Sequence, residues 1–487
     1  MSKKGILSKF QPVFWLANVM ELFERAAYYG MNSVLAVYLT DKLHFQHESV
    51  GFLQAIVYAL TYIVPIVGGA LAEKYGYKRM LTIAFSLLSI GYFATGHFST
   101  YGVIFATLLL VGVGSGLFKP IISSTIARTT DEETSGFGFG IYYWMINLGA
   151  FIAPLLVSYL KGFSWRYVFI ASSVWTFLML FPTIFMYKDP AGKEEGKSLG
   201  DSLKNIVVVL GDSRFMLLIF IYSFFWIIYF QNFGSVLWYL RDFIDRSVIS
   251  SAMTNFFHSI GLNIRFVFDV EHVTVINAGT IILLQVLISR IVKKIKPLPT
   301  MITGILIGST GFLILALTKS AWLFVLGIAV FSIGEMTTHP KYYSYIGLVA
   351  PRDKVAVYMG YSFIYGVIGS LFGSSIGATL YEIIAKKDNN PKLFFMLFFI
   401  LGIFSAAGLV LYNKFFGEDN EITNRRAFKV MFGFYILITL LGFLFIYFSI
   451  SPQGIIWKRV LQSFILLLVG FGGIWLSLKK KKSEEGV

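Results

Sequence analysis

The decisive stretch is Met20–Gly30, MELFERAAYYG, set within residues 12–39, PVFWLANVMELFERAAYYGMNSVLAVYL. Its flanks are apolar and long enough to cross a bilayer, for which about 20 residues suffice. Yet Glu21, Glu24 and Arg25 fall near the depth where water is absent. An ionised side chain at the centre of a membrane helix costs about 2.5–3.5 kcal/mol. A chain that bears this cost three times in five residues holds the charges for pairing or for use.

The rest of the chain agrees with a membrane setting. It has 487 residues, of which 56% are hydrophobic and only 14% charged, with a mean hydropathy of +0.71. A single soluble core cannot bury that much apolar surface. Apolar runs of membrane length recur throughout, and the alternation of a membrane β-barrel is missing. The reading is an all-α polytopic membrane protein. The first apolar segment is too long for a secretory signal and has no small-residue cleavage site after it. With no cysteine, disulfides, thiolate metal sites and cysteine nucleophiles are excluded.

Fourteen transmembrane helices are expected near residues 13–40, 48–73, 79–97, 101–128, 135–161, 164–187, 214–243, 271–292, 297–318, 322–348, 353–385, 391–416, 426–449 and 455–478. With the N-terminus inside, 26 of the 41 Lys and Arg fall on the cytoplasmic side, 12 outside and three within spans. The positive-inside rule then places both termini in the cytoplasm, most simply of a plasma membrane. The formal charge of +15 is thus a membrane-topology signal, with no nucleic acid implied. The tail KKKKSEE reads as an anchor at the membrane edge.

The longest cytoplasmic connection, KDPAGKEEGKSLGDSLKN from Lys188, is charged and rich in Gly and Ser. It divides the first twelve helices into a six-helix bundle over 1–187, a linker over 188–213 and a second six-helix bundle over 214–417. That is the architecture of the major facilitator superfamily, with its site between the halves near the midplane. Residues 418–487 add a transmembrane hairpin and the basic tail, most simply a lipid-facing packing element. A second long connection, 244–270, contains SAMTNFFHSIGLNIRFVF, which reads as an interfacial amphipathic helix or as an extension of a neighbouring span.

Charge within spans is confined to few places. Glu21 and Arg25 are four apart and share a helix face, and Glu24 stands in the same relation to Tyr28. Lys119 lies deep in GVGSGLFKPIISS, and Glu335 in FSIGEMTTHP. Buried ion pairs that only fix helix register are weak sources of stability, whereas intramembrane ionisable groups usually line a substrate or ion path. Arg25 and Lys119 suit a carboxylate, and Glu335 suits an amine. A zwitterion would bridge the two halves, with Tyr28, Tyr29 and Tyr62 as candidate lining residues.

These residues resemble the proton-coupled oligopeptide transporters of the major facilitator superfamily. ELFERAAYYG is similar to the family's first-helix motif E-x-x-E-R-F-x-Y-Y-G, with Ala26 in place of Phe. IYYWMINLGAF resembles the fifth-helix signature around F-Y-x-x-I-N-x-G, GLFKP the fourth-helix lysine, and GEMTTHPKYYSYIGLVAPR the tenth-helix pattern with its A-P-x-R. The resemblance spans helices one to ten. It implies proton coupling through Glu21, Glu24, Arg25 and Lys119. It implies substrate contacts from Arg25, Tyr28, Tyr29, Tyr62, Lys119, Asn147, Trp226 and Asn277, with Glu335 receiving the peptide amino terminus. Two departures go together: the family's seventh-helix glutamate is Phe230, and the first-helix arginine that pairs with it is Asn32. Losing both partners avoids a stranded buried charge, so an extracellular-side ionic latch is expected to be absent.

Other signals are weaker. GGALAEKYGYKR resembles the superfamily's cytoplasmic loop, with Glu73 expected to touch a helix end. VGVGSG and GFGFG carry small residues four apart (Gly112 and Gly116; Gly136 and Gly140), read as close helix packing or a hinge rather than nucleotide binding. His44 and His47 read as a solvated pair with no metal. His339, one turn from Glu335, stands where the family has serine; it either tunes that carboxylate or packs against the next helix.

The expected function is secondary active import of di- or tripeptides, or related amino- and carboxylate-bearing solutes, by proton symport with alternating access. No enzymatic machinery and no cofactor are implied; the partners are a small zwitterionic substrate, protons and lipid. A proton-independent facilitator or exporter of another amphipathic solute is the first alternative, and a non-transporting receptor or scaffold the second.

Overall fold

The computed structural model describes residues 9–131, 134–190, 209–351, 354–418, 420–451, 454–455 and 457–484. Most of the expected linker, the tail beyond Lys479 and Arg352 of the A-P-x-R motif lie outside the described structure or side chains. Helices in chain order are α1 (Pro12–Val37), α2 (His47–Tyr75), α3 (Tyr77–Thr95), α4 (Tyr101–Arg128), α5 (Ser135–Phe163), α6 (Trp165–Leu178) and α7 (Leu180–Phe185). There follow α8 (Ser213–Tyr229), α9 (Ser235–Phe243), α10 (Ser247–Ser259), α11 (His272–Val292), α12 (Pro297–Leu317) and α13 (Ala321–Val349). The last are α14 (Val355–Tyr361), α15 (Ile364–Leu380), α16 (Pro391–Phe416), α17 (Glu421–Tyr447) and α18 (Trp457–Glu484). Among the described residues the one extended pairing is the two-residue ladder of Ile450–Ser451 with Gly454–Ile455.

Twelve helical stretches among the described residues are long and apolar enough to cross a membrane. α1, with 26 residues, is not one of them, because every window of span length includes Glu21, Glu24 and Arg25. Its start is set by Pro12, whose missing N–H belongs to the first turn, where it would be unpaired anyway. At its other end the helix widens into a π-turn over Tyr38–Lys42. The expected single helix over 214–243 is broken: α8 tightens into a 3-10 turn over Phe230–Phe233, and Gly234 separates it from α9. The segment 251–268 extends no span; its first part belongs to the separate helix α10, and an irregular strand of chain follows it.

The chain forms two compact units. The first comprises residues 1–198, 223–345 and 363–406, and the second 199–222, 346–362 and 407–487. In the first, α1 packs on α5 and α6, α3 on α4 and α6, and α2 on both α4 and α15, while α11 packs on α5. Small residues set these approaches. A Cβ on Gly51 of α2 would lie 2.5 Å from the Ser374 carbonyl of α15. One on Gly116 of α4 would lie 2.6 Å from Val64 Cβ of α2. The VGVGSG glycines are therefore packing residues. In GFGFG the packed glycine is Gly138, against Thr130, Phe10 and Phe14, whereas Gly140 faces open space. In the second unit α17 packs on α18; Gly442 meets Leu467, Gly473 meets Tyr435, and the Ser463 hydroxyl donates to the Gly442 carbonyl at 2.7 Å.

Two other expectations change. The contact at the start of α3 is made by Asp189, whose carboxylate accepts from the Tyr77 N–H at 2.8 Å, and not by Glu73, which is exposed. Gly76 turns the chain there with φ of 91°, a left-handed value that favours glycine. His44 and His47 are not a solvated pair. His44 is exposed, while His47 is buried with Nδ1 2.8 Å from Glu382.

Glycine substitution separates packing from open positions. Gly334→Val would drive a side chain into the backbone of Gly308 on α12 and should destabilise by about 1–3 kcal/mol. Gly140→Ala should instead raise stability by roughly 0.5–1 kcal/mol. Thermal unfolding of the two purified variants should move the melting temperature in opposite directions.

Candidate functional site

The site starts from one helical turn of α1. Four-residue spacing brings Arg25 Nε within 3.4 Å of Glu21 Oε1, and the guanidinium also grips the adjacent Glu24 through Nε and Nη2. All three side chains are almost completely buried. Nη2 reaches Ser115 Oγ of α4 at 3.2 Å. Gly149 of α5 makes room for this turn: a Cβ there would lie 2.8 Å from the Leu22 carbonyl and 3.1 Å from Arg25 Cβ.

Each carboxylate is only half engaged. Glu21 Oε2 and Glu24 Oε1 are buried without a hydrogen-bond partner among the described residues. A buried unpaired carboxylate oxygen is costly, and a proton or a water placed there relieves the cost. The geometry therefore presents two proton-accepting positions beside a guanidinium that responds to either one.

Lys119 stands on the same wall. It forms no ion pair among the described residues; Nζ donates to the Thr61 carbonyl at 3.4 Å and lies 5.2 Å from the Tyr62 ring centroid. Glu21, Glu24 and Arg25 are all within its electrostatic range. Tyr28 lies between the two cations, its ring centroid 4.9 Å from Arg25 Cζ and 5.9 Å from Lys119 Nζ. Pro120 follows the lysine inside α4. It has no N–H, so the carbonyl four residues back is released from the helical ladder at this point.

These groups open on a small cavity of about 40 Å³. Its wall has two cations, Arg25 and Lys119, five phenols, Tyr28, Tyr29, Tyr58, Tyr62 and Tyr229, and the rings of Phe230 and Phe233. A wall of cations and hydroxyl donors with no carboxylate is chemically an anion site. On this measure one water needs about 10–15 Å³, so the cavity has room for a few waters and a dipeptide does not fit without helix movement.

A second polar centre lies on α11 and α13. The Asn277 amide donates to Glu335 Oε2 and to Ser332 Oγ, both at 2.9 Å. Tyr29 is within electrostatic range of both Arg25 and Glu335, and so connects the two centres. Trp226 does not line the small cavity. It belongs to an aromatic cluster with Tyr365 at 4.5 Å and His339 at 5.0 Å between ring centroids, and Tyr365 in turn meets Tyr62 at 6.1 Å. Asn147 is apart from the cavity wall, and its amide donates to the Tyr143 carbonyl at 2.9 Å.

Asn32 and Phe230 hold no charge between them. Asn32 Oδ1 accepts from the Tyr58 hydroxyl at 3.1 Å, while Phe230 stacks on the Tyr58 ring at 5.5 Å. Gln54 completes the layer by donating to Tyr58 Oη at 2.9 Å and to the Phe233 carbonyl at 2.8 Å. Ser115, Tyr58, Tyr229 and Ser332 had no signal in the sequence beyond their presence in apolar helices. A serine or tyrosine in a membrane helix is too common to single out.

Fold and site together define a helical membrane protein: long apolar helices surround charged groups and a small polar cavity. The chain belongs to the Major Facilitator Superfamily, whose sequence profile matches residues 17–374 and 239–477. Within it the relatives are peptide transporters. The chain is 28% identical over 228 residues to the di-/tripeptide transporter of Lactococcus lactis subsp. lactis (strain IL1403), covering 42% of this chain and 44% of that one. It is 35% identical over 181 residues to dipeptide and tripeptide permease A of Proteus mirabilis (strain HI4320), covering 35% and 37%. The matched part is thus less than half the length of these relatives. Among solved structures, a POT family transporter in complex with 5-aminolevulinic acid superposes with a TM-score of 0.68 at 19% identity, covering 82% of this chain and 96% of that one. The peptide transporter POT in complex with sulfate gives 0.68 at 18%, covering 85% and 99%. At these identities the structural likeness speaks for the fold.

The α1 cluster makes a stability prediction. Arg25→Leu strands two buried carboxylates and should cost about 3–5 kcal/mol. Adding Glu21→Gln and Glu24→Gln to it should recover most of that loss in thermal unfolding, although the triple variant lacks the charges themselves.

Proposed function

We propose that this chain imports di- or tripeptides, or related solutes with an amino group and a carboxylate, by proton symport with alternating access. The observation that carries the reading is the division of charge. The cavity wall offers Arg25 and Lys119, while Glu335 is held by Asn277 on the other centre. The substrate carboxylate binds the cations and phenols, and its ammonium binds Glu335.

Charge balance supplies the coupling. Glu21, Glu24, Arg25 and Lys119 sum to zero when all are ionised. Entry of a substrate carboxylate leaves this buried group with one uncompensated negative charge, which is expensive in a low-dielectric site. Protonation of Glu21 or Glu24 restores neutrality and releases Arg25 for the substrate. Loss of the proton on the other side re-forms the pair and expels the carboxylate. Asn147 and Trp226 are assigned to the outer shell of the substrate's side chains.

This reading includes fourteen spans, with α1 and α3 joining the twelve of clear composition, and both termini in the cytoplasm of the plasma membrane. The six-helix bundles are residues 1–187 and 214–417, joined by 188–213, with the hairpin at 418–487. The neutral layer at Asn32, Tyr58 and Phe230 also favours a second reading, in which peptide flux is facilitated without protons.

Uptake of labelled dialanine into proteoliposomes separates the two. Symport predicts accumulation only with an inward proton gradient. Glu21→Gln or Glu24→Gln should abolish accumulation while counterflow persists. Equilibrating uptake that ignores the gradient would support the facilitator, and absence of uptake by folded protein would refute peptide transport. In binding assays, dialanine amide, which lacks the carboxylate, should lose about 1.5–3 kcal/mol relative to dialanine. Lys119→Ala should remove most of that difference, whereas Glu335→Gln should leave it in place.

A further inference from the structure

The neutral layer at Tyr58 leaves open what holds the bundle shut at the end where α1 finishes and α2 and α11 begin. Three polar contacts cross that end, two of them ionic. Arg241 of α9 pairs with Asp41 beyond α1 and with Asp242 at 2.6 Å, and the Tyr381 hydroxyl donates to Asp242 at 2.8 Å. His47 at the head of α2 meets Glu382 at 2.8 Å. The third is the most buried. Lys161, in the last turn of α5, places Nζ 2.6 Å from Asp269 Oδ2 and 2.7 Å from Glu271 Oε2.

This third contact is built as a clamp. Glu271 is 0% exposed and is the N-cap residue of α11, where the helix dipole favours negative charge. Arg246, the N-cap residue of α10, holds the other oxygen of Asp269. The chain between α10 and α11 is pinned to α10: the Phe268 N–H donates to Ser250 Oγ at 2.9 Å and the Phe266 N–H to Thr254 Oγ1 at 3.0 Å. α10, its following chain and the head of α11 thus move as one piece, and Lys161 is the charge through which α5 grips it.

We propose that Lys161, with Asp269 and Glu271, is the lock that holds the outer end of this transporter closed, in place of an ionic pair beside the cavity. The proposal rests on the alternating-access reading but not on the identity of the substrate. The lock is poised rather than permanent. Glu271 Oε1 has no hydrogen-bond partner among the described residues, so its desolvation is only partly offset while the clamp is shut. When α5 and α11 part, water returns to all three ions. Removing Lys161 strands the buried Glu271 in the closed state and leaves Asp269 to Arg246 alone, whereas in the open state water reaches both carboxylates, so it must shift the balance towards opening.

Asp269 does not read pH in the physiological range. Burial disfavours ionised Asp269, but Lys161 and Arg246 outweigh it and hold the carboxyl below its usual range. A depressed carboxyl keeps its stabilising effect above its ordinary pKa and loses it only as pH falls through the lower value. Lys161, Arg246, Glu271 and His272 face it from the packed elements, and proton dependence is left to the α1 cluster.

The chain has no cysteine, so spin labels at Ser99→Cys and Ser320→Cys, both exposed, report opening of this end in lipid nanodiscs. The unsubstituted lock should give mainly the shorter distance. Lys161→Ala and Glu271→Gln should each raise the ratio of long to short at least about tenfold, with Lys161→Arg restoring it. Unchanged distances in either folded single variant would overturn the proposal. If neither folds, the reversed pair Lys161→Glu with Glu271→Lys decides: a closed distribution supports an ionic lock, and an open one or another failure to fold refutes it. Unchanged distances with normal gradient-driven dialanine uptake sink the lock alone. A single distance under every condition, with no uptake, sinks the alternating-access reading.

Discussion

The grip of Arg25 on Glu21 and Glu24 is the constraint to which the surrounding helices conform. A guanidinium and two carboxylates on one membrane helix are tolerable only if they meet one another and are sealed from lipid. Neutralising Arg25 takes one turn of α1, and sealing it takes neighbours that approach very closely. Gly149 of α5 lets backbone come against that turn, and Ser115 of α4 supplies the acceptor that the two glutamates leave unfilled. The close glycines of α4 against α2 then fix where Lys119 and Tyr62 stand. The polar centre thereby dictates which apolar helices must carry small residues.

That dependence explains what was legible in the sequence. Glu21, Glu24, Arg25, Lys119 and Glu335 announce themselves because each is expensive in its setting, and their spacing within α1 gives the pairing directly. Asn277 was singled out through resemblance as a pocket residue, but its hydrogen bond to Glu335 left no trace in the sequence. Ser115 was not legible, because its partner is 90 positions away and nothing local marks it. His47 was misread for the same reason: its partner Glu382 is brought to it by the packing of α15 on α2. The contact assigned to Glu73 is made by Asp189, which folds back from beyond α7. Local spacing reveals pairs within a helix, while partners supplied by tertiary packing leave no local trace.

The break at Gly234 shows a second limit. The apolar run from 214 to 243 has helical composition throughout, and hydropathy alone cannot place a change of helix type within it. The cause is side-chain chemistry in three dimensions. The Gln231 amide donates to the Ile227 carbonyl at 2.8 Å and to the Gly373 carbonyl of α15 at 2.9 Å. A glutamine that engages two backbone carbonyls, one of them on another helix, holds the 3-10 turn beside Phe230 and Phe233. That turn is what delivers both rings to the cavity wall.

Charge in this protein therefore works at two depths under two rules. In α1 and α4 the charges sum to zero and are half satisfied, so a proton or a carboxylate changes the balance. At the rim, Asp269 is gripped from both sides by Lys161 and Arg246, which hold its carboxyl below the usual range, so separation of the helices, rather than a change of pH near neutrality, is what would release it. An ionic pair beside the cavity would mix the two behaviours, since a substrate carboxylate would compete for its arginine. With Asn32 and Phe230 at those positions no such pair stands beside the cavity, and in the proposed reading the task of holding the bundle closed falls to Lys161, Asp269 and Glu271, which are not among the residues of the cavity wall.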